Sequence, residues 1–127
     1  MSNIVKQPVF FLSHGGGPSF FMDTTGPFHE IDKTSKSKEF LSNLSQYIPN
    51  KPRAIVVVSA HWEENDVSVQ YQRNGTSLLY DYYGFPENTY APYLTYPAPT
   101  DIAIADNVYE LLQSAGIKSS KVDRGFD

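Results

Sequence analysis

Ala54-Ile55-Val56-Val57-Val58-Ser59-Ala60-His61 decides how this chain is read. An unbroken apolar run rich in β-branched residues, entered from Pro52 and Arg53, reads as a strand buried on both faces. It ends on a histidine, and Trp62-Glu63 follows. A second run has the same form: Val9-Phe10-Phe11-Leu12-Ser13-His14, followed by Gly15-Gly16-Gly17-Pro18. A histidine at the end of a strand holds its imidazole at the carboxyl edge of a sheet, where open α/β folds bind their ligands. Two such imidazoles on neighbouring strands make half of a metal site.

The segment between the two runs supports this arrangement. Phe40, Leu41, Leu44, Tyr47 and Ile48 fall on one helical face, so Ser37 to Ile48 is expected to be a helix, stopped by Pro49 and Pro52. Strand, helix and strand with short connections predict a right-handed βαβ unit with parallel strands. The carboxyl ends of both strands then share one sheet edge, which lets His14 and His61 meet.

Farther along, Val67, Val69 and Tyr71 alternate with polar residues, as in a strand with one wet face. Asn74-Gly75 is a turn signal. The stretch from Tyr80 to Pro99 is rich in tyrosine and proline and has no period. Thr100 or Asp101 is expected to cap a helix running to Ala115, with Ile104, Val108, Leu111, Leu112 and Ala115 as its apolar stripe. Gly116 fits the stop, and Ile117 to Val122 begins another strand. The expected fold class is α/β, a central mostly parallel sheet with flanking helices. The chain stops at Arg124-Gly125-Phe126-Asp127, within what reads as folded sequence. So short a sheet would leave one face bare, so an incomplete version of a larger single domain is expected.

Composition narrows the function classes. With 127 residues, 40% of them hydrophobic, the chain suits one domain or part of one. The net charge is −4 and Lys and Arg are scattered, which speaks against nucleic acid and anionic membrane as partners. There is no cysteine, so any metal must be held by imidazole, carboxylate or water. No apolar run approaches the roughly 20 residues of a membrane span. The run Val9 to Leu12 is too short for a signal-peptide core, so a cytoplasmic setting is expected.

Taken residue by residue, alternatives stay open. His14 and His61 read either as metal ligands or as hydrogen-bonded strand-end histidines. Gly15-Gly16-Gly17 leaves room beside His14 for a small molecule. As a phosphate cradle it lacks both the lysine and the spacing of a phosphate-binding loop. Glu63 suits a ligand, an acceptor behind His61 or a salt bridge. His29 lies in a polar stretch and reads as a solvated surface histidine. Tyr80, Tyr82, Tyr83, Phe85, Tyr90, Tyr93 and Tyr96 either wall an aromatic pocket or pack their own loop.

Phe11-Leu12-Ser13-His14-Gly15-Gly16-Gly17-Pro18 followed by Val57-Val58-Ser59-Ala60-His61-Trp62-Glu63 resembles the class III extradiol ring-cleavage dioxygenases. The branch it resembles most is the DOPA 4,5-dioxygenase-like group. The resemblance continues in order through Tyr83-Gly84-Phe85-Pro86, Tyr96-Pro97-Ala98-Pro99 and Arg124-Gly125-Phe126-Asp127. It implies a divalent non-haem metal, Fe(II) or Zn(II), that binds a small catechol substrate and O₂ side by side, so that the ring opens beside the diol. It implies that His14 and His61 are metal ligands and that Gly15, Gly16, Phe85 and Asp127 border the substrate. It assigns no acid–base residue to this stretch. Family members are about twice as long, and their remaining ligand and acid–base histidine lie in the other half. Their last motif continues with a histidine directly after the position of Asp127, and Thr100 stands where glycine often follows Tyr-Pro-Ala-Pro. Residues 1–127 are thus expected to be the N-terminal portion of an extradiol dioxygenase catalytic domain, holding metal weakly and turning over little alone. The alternatives are a non-catalytic relative that binds a ligand or protein in the same pocket, an inactive fragment, or a metal-dependent hydrolase.

Overall fold

A computed structural model describes residues 6–12, 14–73 and 77–126 of the chain. They fall into two compact units, Met1–Ile55 and Val56–Asp127.

The first unit is built from short helices. A single 3₁₀ turn at Ser19–Phe21 and a six-residue 3₁₀ helix at Gly26–Ile31 lead into α1, Lys36–Ser42, and a 3₁₀ turn at Leu44–Tyr47 closes the series. Ser35 caps α1 by accepting a hydrogen bond from the Lys38 amide at 3.2 Å, and its hydroxyl donates to the Asp32 carbonyl at 2.7 Å. The helix expected over residues 37–48 is therefore broken in two. Asn43 is the cause. Its side-chain amide donates to the Glu39 carbonyl at 2.8 Å while its backbone sits at φ −102°, ψ 8°. A side chain that competes for the last carbonyls tightens the turn and ends the α-helix. Phe40 and Tyr47 still meet across the break, with ring centroids 5.5 Å apart.

Asp32 is the anchor of this unit. It is 2% exposed, and its carboxylate accepts from the Thr34 amide at 2.8 Å, the Thr34 hydroxyl at 2.7 Å and the His29 ring at 2.7 Å. Burial by itself would raise this carboxyl, but the Thr34 and His29 hydrogen bonds outweigh it and hold it well below the usual carboxylate range. A depressed folded value stabilises the fold above the unfolded value of about 3.9, and that support is lost as pH falls through the folded value. The Thr34 amide shift is therefore expected to titrate well below pH ~4, and a midpoint at that ordinary value would refute this.

The second unit carries the sheet. β1, Val67–Gln70, and β2, Ser119–Val122, run parallel in the register Val67↔Ser119 to Gln70↔Val122. Parallel neighbours need a long crossover, and α2, Ile102–Ser114, lies in it. Asp101 caps α2 by accepting from the Ile104 amide at 3.1 Å, and Gly116 follows in the left-handed conformation at φ +72°. Val69 on β1 and Ala105 on α2 are buried apolar residues of this unit. The expected stripe is rotated, since Leu111 is exposed and Ala105 faces inward. Lys121 ties the layers together. It pairs with Asp106 and lies over the rings of Tyr71 and Tyr109, 4.7 Å from each centroid.

The fold is thus α/β with a parallel strand pair, but the pair is not the expected one. Among the described residues neither 6–12 nor 53–60 forms a strand. Val9 and Val58 are 98% and 94% exposed, and Ile55, Val56 and Val57 are exposed with them. A doubly buried strand needs ladder partners and a layer on each face. The described elements of each unit supply neither to these runs. The shared sheet edge that was to bring His14 and His61 together is accordingly absent among the described residues.

Candidate functional site

His14 belongs to the first unit. Its Nδ1 lies 2.7 Å from the carbonyl of Gly15. A carbonyl can only accept, so the ring proton sits on Nδ1. Gly15 allows a close approach here: a Cβ would collide with the Ser19 hydroxyl and lie 3.2 and 3.3 Å from the Phe20 ring. Ser19 is buried, and its Oγ has no hydrogen-bond partner among the described residues. Gly16 faces open space. The two glycines expected to border a substrate are thus one filled contact and one open one. Asp127, expected to border it too, lies outside the described residues, as does Ser13.

His61 belongs to the second unit, and its surroundings are more fully built. Its Nδ1 lies 2.7 Å from Oδ2 of Asp81. The backbone that carries it is fixed on both sides. The His61 amide donates to the Ser59 hydroxyl at 3.1 Å, and the Glu63 amide donates to the His61 carbonyl at 3.2 Å. The Arg124 guanidinium stacks on Trp62, 4.3 Å from the ring centroid, and lies 3.9 Å from Glu64. The Trp62 indole donates to the same Glu64 carboxylate at 3.2 Å. Glu63, the acid singled out from the sequence, is exposed; its neighbour makes these contacts.

The segment bearing Asp81 is held just as firmly. Tyr80 and Tyr82 flank it and donate their hydroxyls to the carbonyls of Leu94 and Thr89. Their rings pack with Tyr90 at 6.0 and 5.0 Å, and Phe85 stands edge-on to Tyr82 at 5.6 Å. Thr89 at the centre of this knot is fully buried. Burial, with the neighbouring Tyr80, Tyr90 and Asp81, pushes the Tyr82 phenol up. Phe85 and the tyrosines at 80, 82 and 90 therefore pack their own loop, whereas Tyr83, Tyr93 and Tyr96 are exposed. Upstream, the Leu79 amide donates to the Phe126 carbonyl at 2.8 Å, so the Arg124-Gly125-Phe126 motif runs beside residues 77–79.

The second unit thus gathers His61-Trp62, Asp81 and Arg124 into one constellation. The sequence named the first and the last as motifs but missed Asp81. Its one cue was an acid set between two tyrosines. His29 is an exposed histidine paired with Asp32, apart from any site. Among the described residues no group of three or more His, Asp or Glu side chains is arranged to hold a metal. No helix of the described chain is long and apolar enough to cross a membrane.

Residues 8–127 match the family described as the catalytic LigB subunit of aromatic ring-opening dioxygenase. The chain is 38% identical over 124 residues to a 4,5-DOPA dioxygenase extradiol of Beta vulgaris, covering 95% of this chain and 41% of the relative. It is 38% identical over 123 residues to dioxygenase tasH of Hapsidospora irregularis, covering 94% of this chain and 36% of that protein. A 4,5-DOPA dioxygenase extradiol of Escherichia coli is 30% identical over 122 residues, 96% of this chain and 40% of its own length. The chain therefore spans about two fifths of these curated relatives. No solved structure matches it.

Proposed function

Because the chain belongs to the LigB family of aromatic ring-opening dioxygenases, matched over residues 8–127, we propose that it is the N-terminal portion of a catalytic domain that cleaves a catechol ring with O₂. His14 and His61 are its imidazole donors to a divalent metal, Fe(II) or Zn(II). Gly15, Gly16, Phe85 and Asp127 border the catechol, and the setting is cytoplasmic.

The donor chemistry fits such a metal. Imidazole suits first-row divalent ions, and a ligating histidine needs its second nitrogen fixed by a carboxylate or carbonyl. Both candidates have that partner: His14 has the Gly15 carbonyl and His61 has Asp81. With Nδ1 committed in each ring, ligation falls to Nε2 in both. The bound metal would bring catechol and O₂ together and let electrons pass between them. The chain's own part is to hold two imidazoles in the ligating tautomer and to leave space beside Gly16. The observation that carries the reading is the 2.7 Å contact of His61 with Asp81, in a chain whose family opens aromatic rings.

Oxygen uptake tests it. Protein from its native source, loaded with Fe(II) and given a catechol, is expected to consume O₂ and open the ring, with uptake falling to background when iron is withheld. Background uptake from the iron-loaded protein rejects the proposal.

A further inference from the structure

An exposed histidine–carboxylate pair adds little to stability. The His61 side chain is 69% exposed and Asp81 28%, so this pair is of that kind. Yet each partner stands on its own separate support. Asp81 sits between two tyrosines whose rings and hydroxyls are locked into the Tyr82–Tyr90–Thr89 knot, and the backbone just before it is tied to Phe126. The His61 segment is held by the stacking of Arg124 on Trp62 and by Glu64. Side chains held from behind in this way have fixed geometry, which is what a functional group needs from its surroundings.

We propose that Asp81 is a positioning residue, which holds His61 in the Nδ1-protonated tautomer and turns its Nε2 toward the metal. The proposal rests on the reading of His61 as a metal ligand. A carboxylate can only accept from the ring, so the neutral imidazole keeps its proton on Nδ1. In the absence of Asp81 the acceptor that holds the proton on Nδ1 is gone, and a ring that carries its proton on Nε2 instead loses the lone pair that ligation uses. Asp81 thus acts through His61.

Nitrogen-15 spectra of the histidine rings in the metal-free protein, taken above the ordinary histidine pKa of about 6.5, read the tautomer directly. Wild-type His61 is expected to be protonated on Nδ1. Asp81→Ala is expected to move the proton to Nε2 and to weaken Zn(II) binding by about 10- to 100-fold, with the β1–β2 amide signals unchanged. Asp81→Glu, which keeps a carboxylate, is expected to restore part of both. An Nε2-protonated wild-type ring overturns the proposal without recourse to any variant. So does an Asp81→Ala protein that keeps both tautomer and affinity. His61→Ala separates the two levels. If it loses zinc while Asp81→Ala does not, only the role of Asp81 falls; if it binds zinc like wild type, the ligand assignment falls first.

Discussion

In the full-length form of the domain, His61→Ala and His14→Ala are each expected to abolish retention of a divalent metal, lowering its affinity by more than about 100-fold. That bound follows because loss of a group merely supporting a ligand already costs about 10- to 100-fold. Each substitution removes an imidazole whose other nitrogen is engaged by a specific acceptor, Asp81 or the Gly15 carbonyl. No cysteine is present to substitute for either. Elemental analysis after gel filtration, with chelator competition, reads the loss. His29→Ala is the control, because its ring is occupied with Asp32 in a separate network. It should leave metal content unchanged. Wild-type metal content in both the His14 and His61 variants refutes the assignment.

Gly125→Ala is expected to destabilise the second unit by about 3 kcal/mol, the upper part of the usual range for overpacking. A Cβ at this position would collide with the carbonyl oxygen of Ser77, and would stand 2.9 and 3.2 Å from the carbonyl carbons of Ser77 and Leu78. These are backbone atoms, so no rotamer change relieves the clash. The segment must move, and with it the bond from the Leu79 amide to Phe126. Arg124, the preceding residue, would then lose its seat on Trp62. Denaturant unfolding followed by the fluorescence of the single tryptophan measures the loss. A change below about 0.5 kcal/mol, the usual size of a neutral surface substitution, contradicts the close approach.

What the sequence disclosed depended on how local each signal was. The cap at Asp101, the helix that follows and its glycine stop are fixed by neighbours a few residues away and were readable; the strands at 67–70 and 119–122 were readable as local segments, although they pair with each other across the whole crossover. The runs at 9–12 and 54–58 were read as buried strands because apolar residues report a preference for burial. Whether the covering layers exist is a separate matter, and the described elements do not provide them. The helix at 37–48 was read too long because Asn43 looks like any polar residue in a helix until its amide is seen bonded to Glu39. Both histidines stood out as candidates because each closes an apolar run. Asp81 did not, because it lies 20 residues from His61, beyond β1, and no spacing rule links the two. The turn expected at Asn74-Gly75 lies outside the described residues.

The exposed run Ile55–Val58 has a cost in the cell as well as in the fold. Four consecutive β-branched residues without charge, proline or glycine are the composition from which cross-β stacks nucleate. The residues on either side oppose this. Lys51, Pro52 and Arg53 precede the run, and Glu63 and Glu64 follow soon after it, the pattern of gatekeepers that keep copies of a sticky segment apart by charge repulsion and a missing amide donor. A chain with this segment uncovered presents an apolar patch of the kind that drives association. The flanking charges set how long such a chain stays dispersed before the run finds cover.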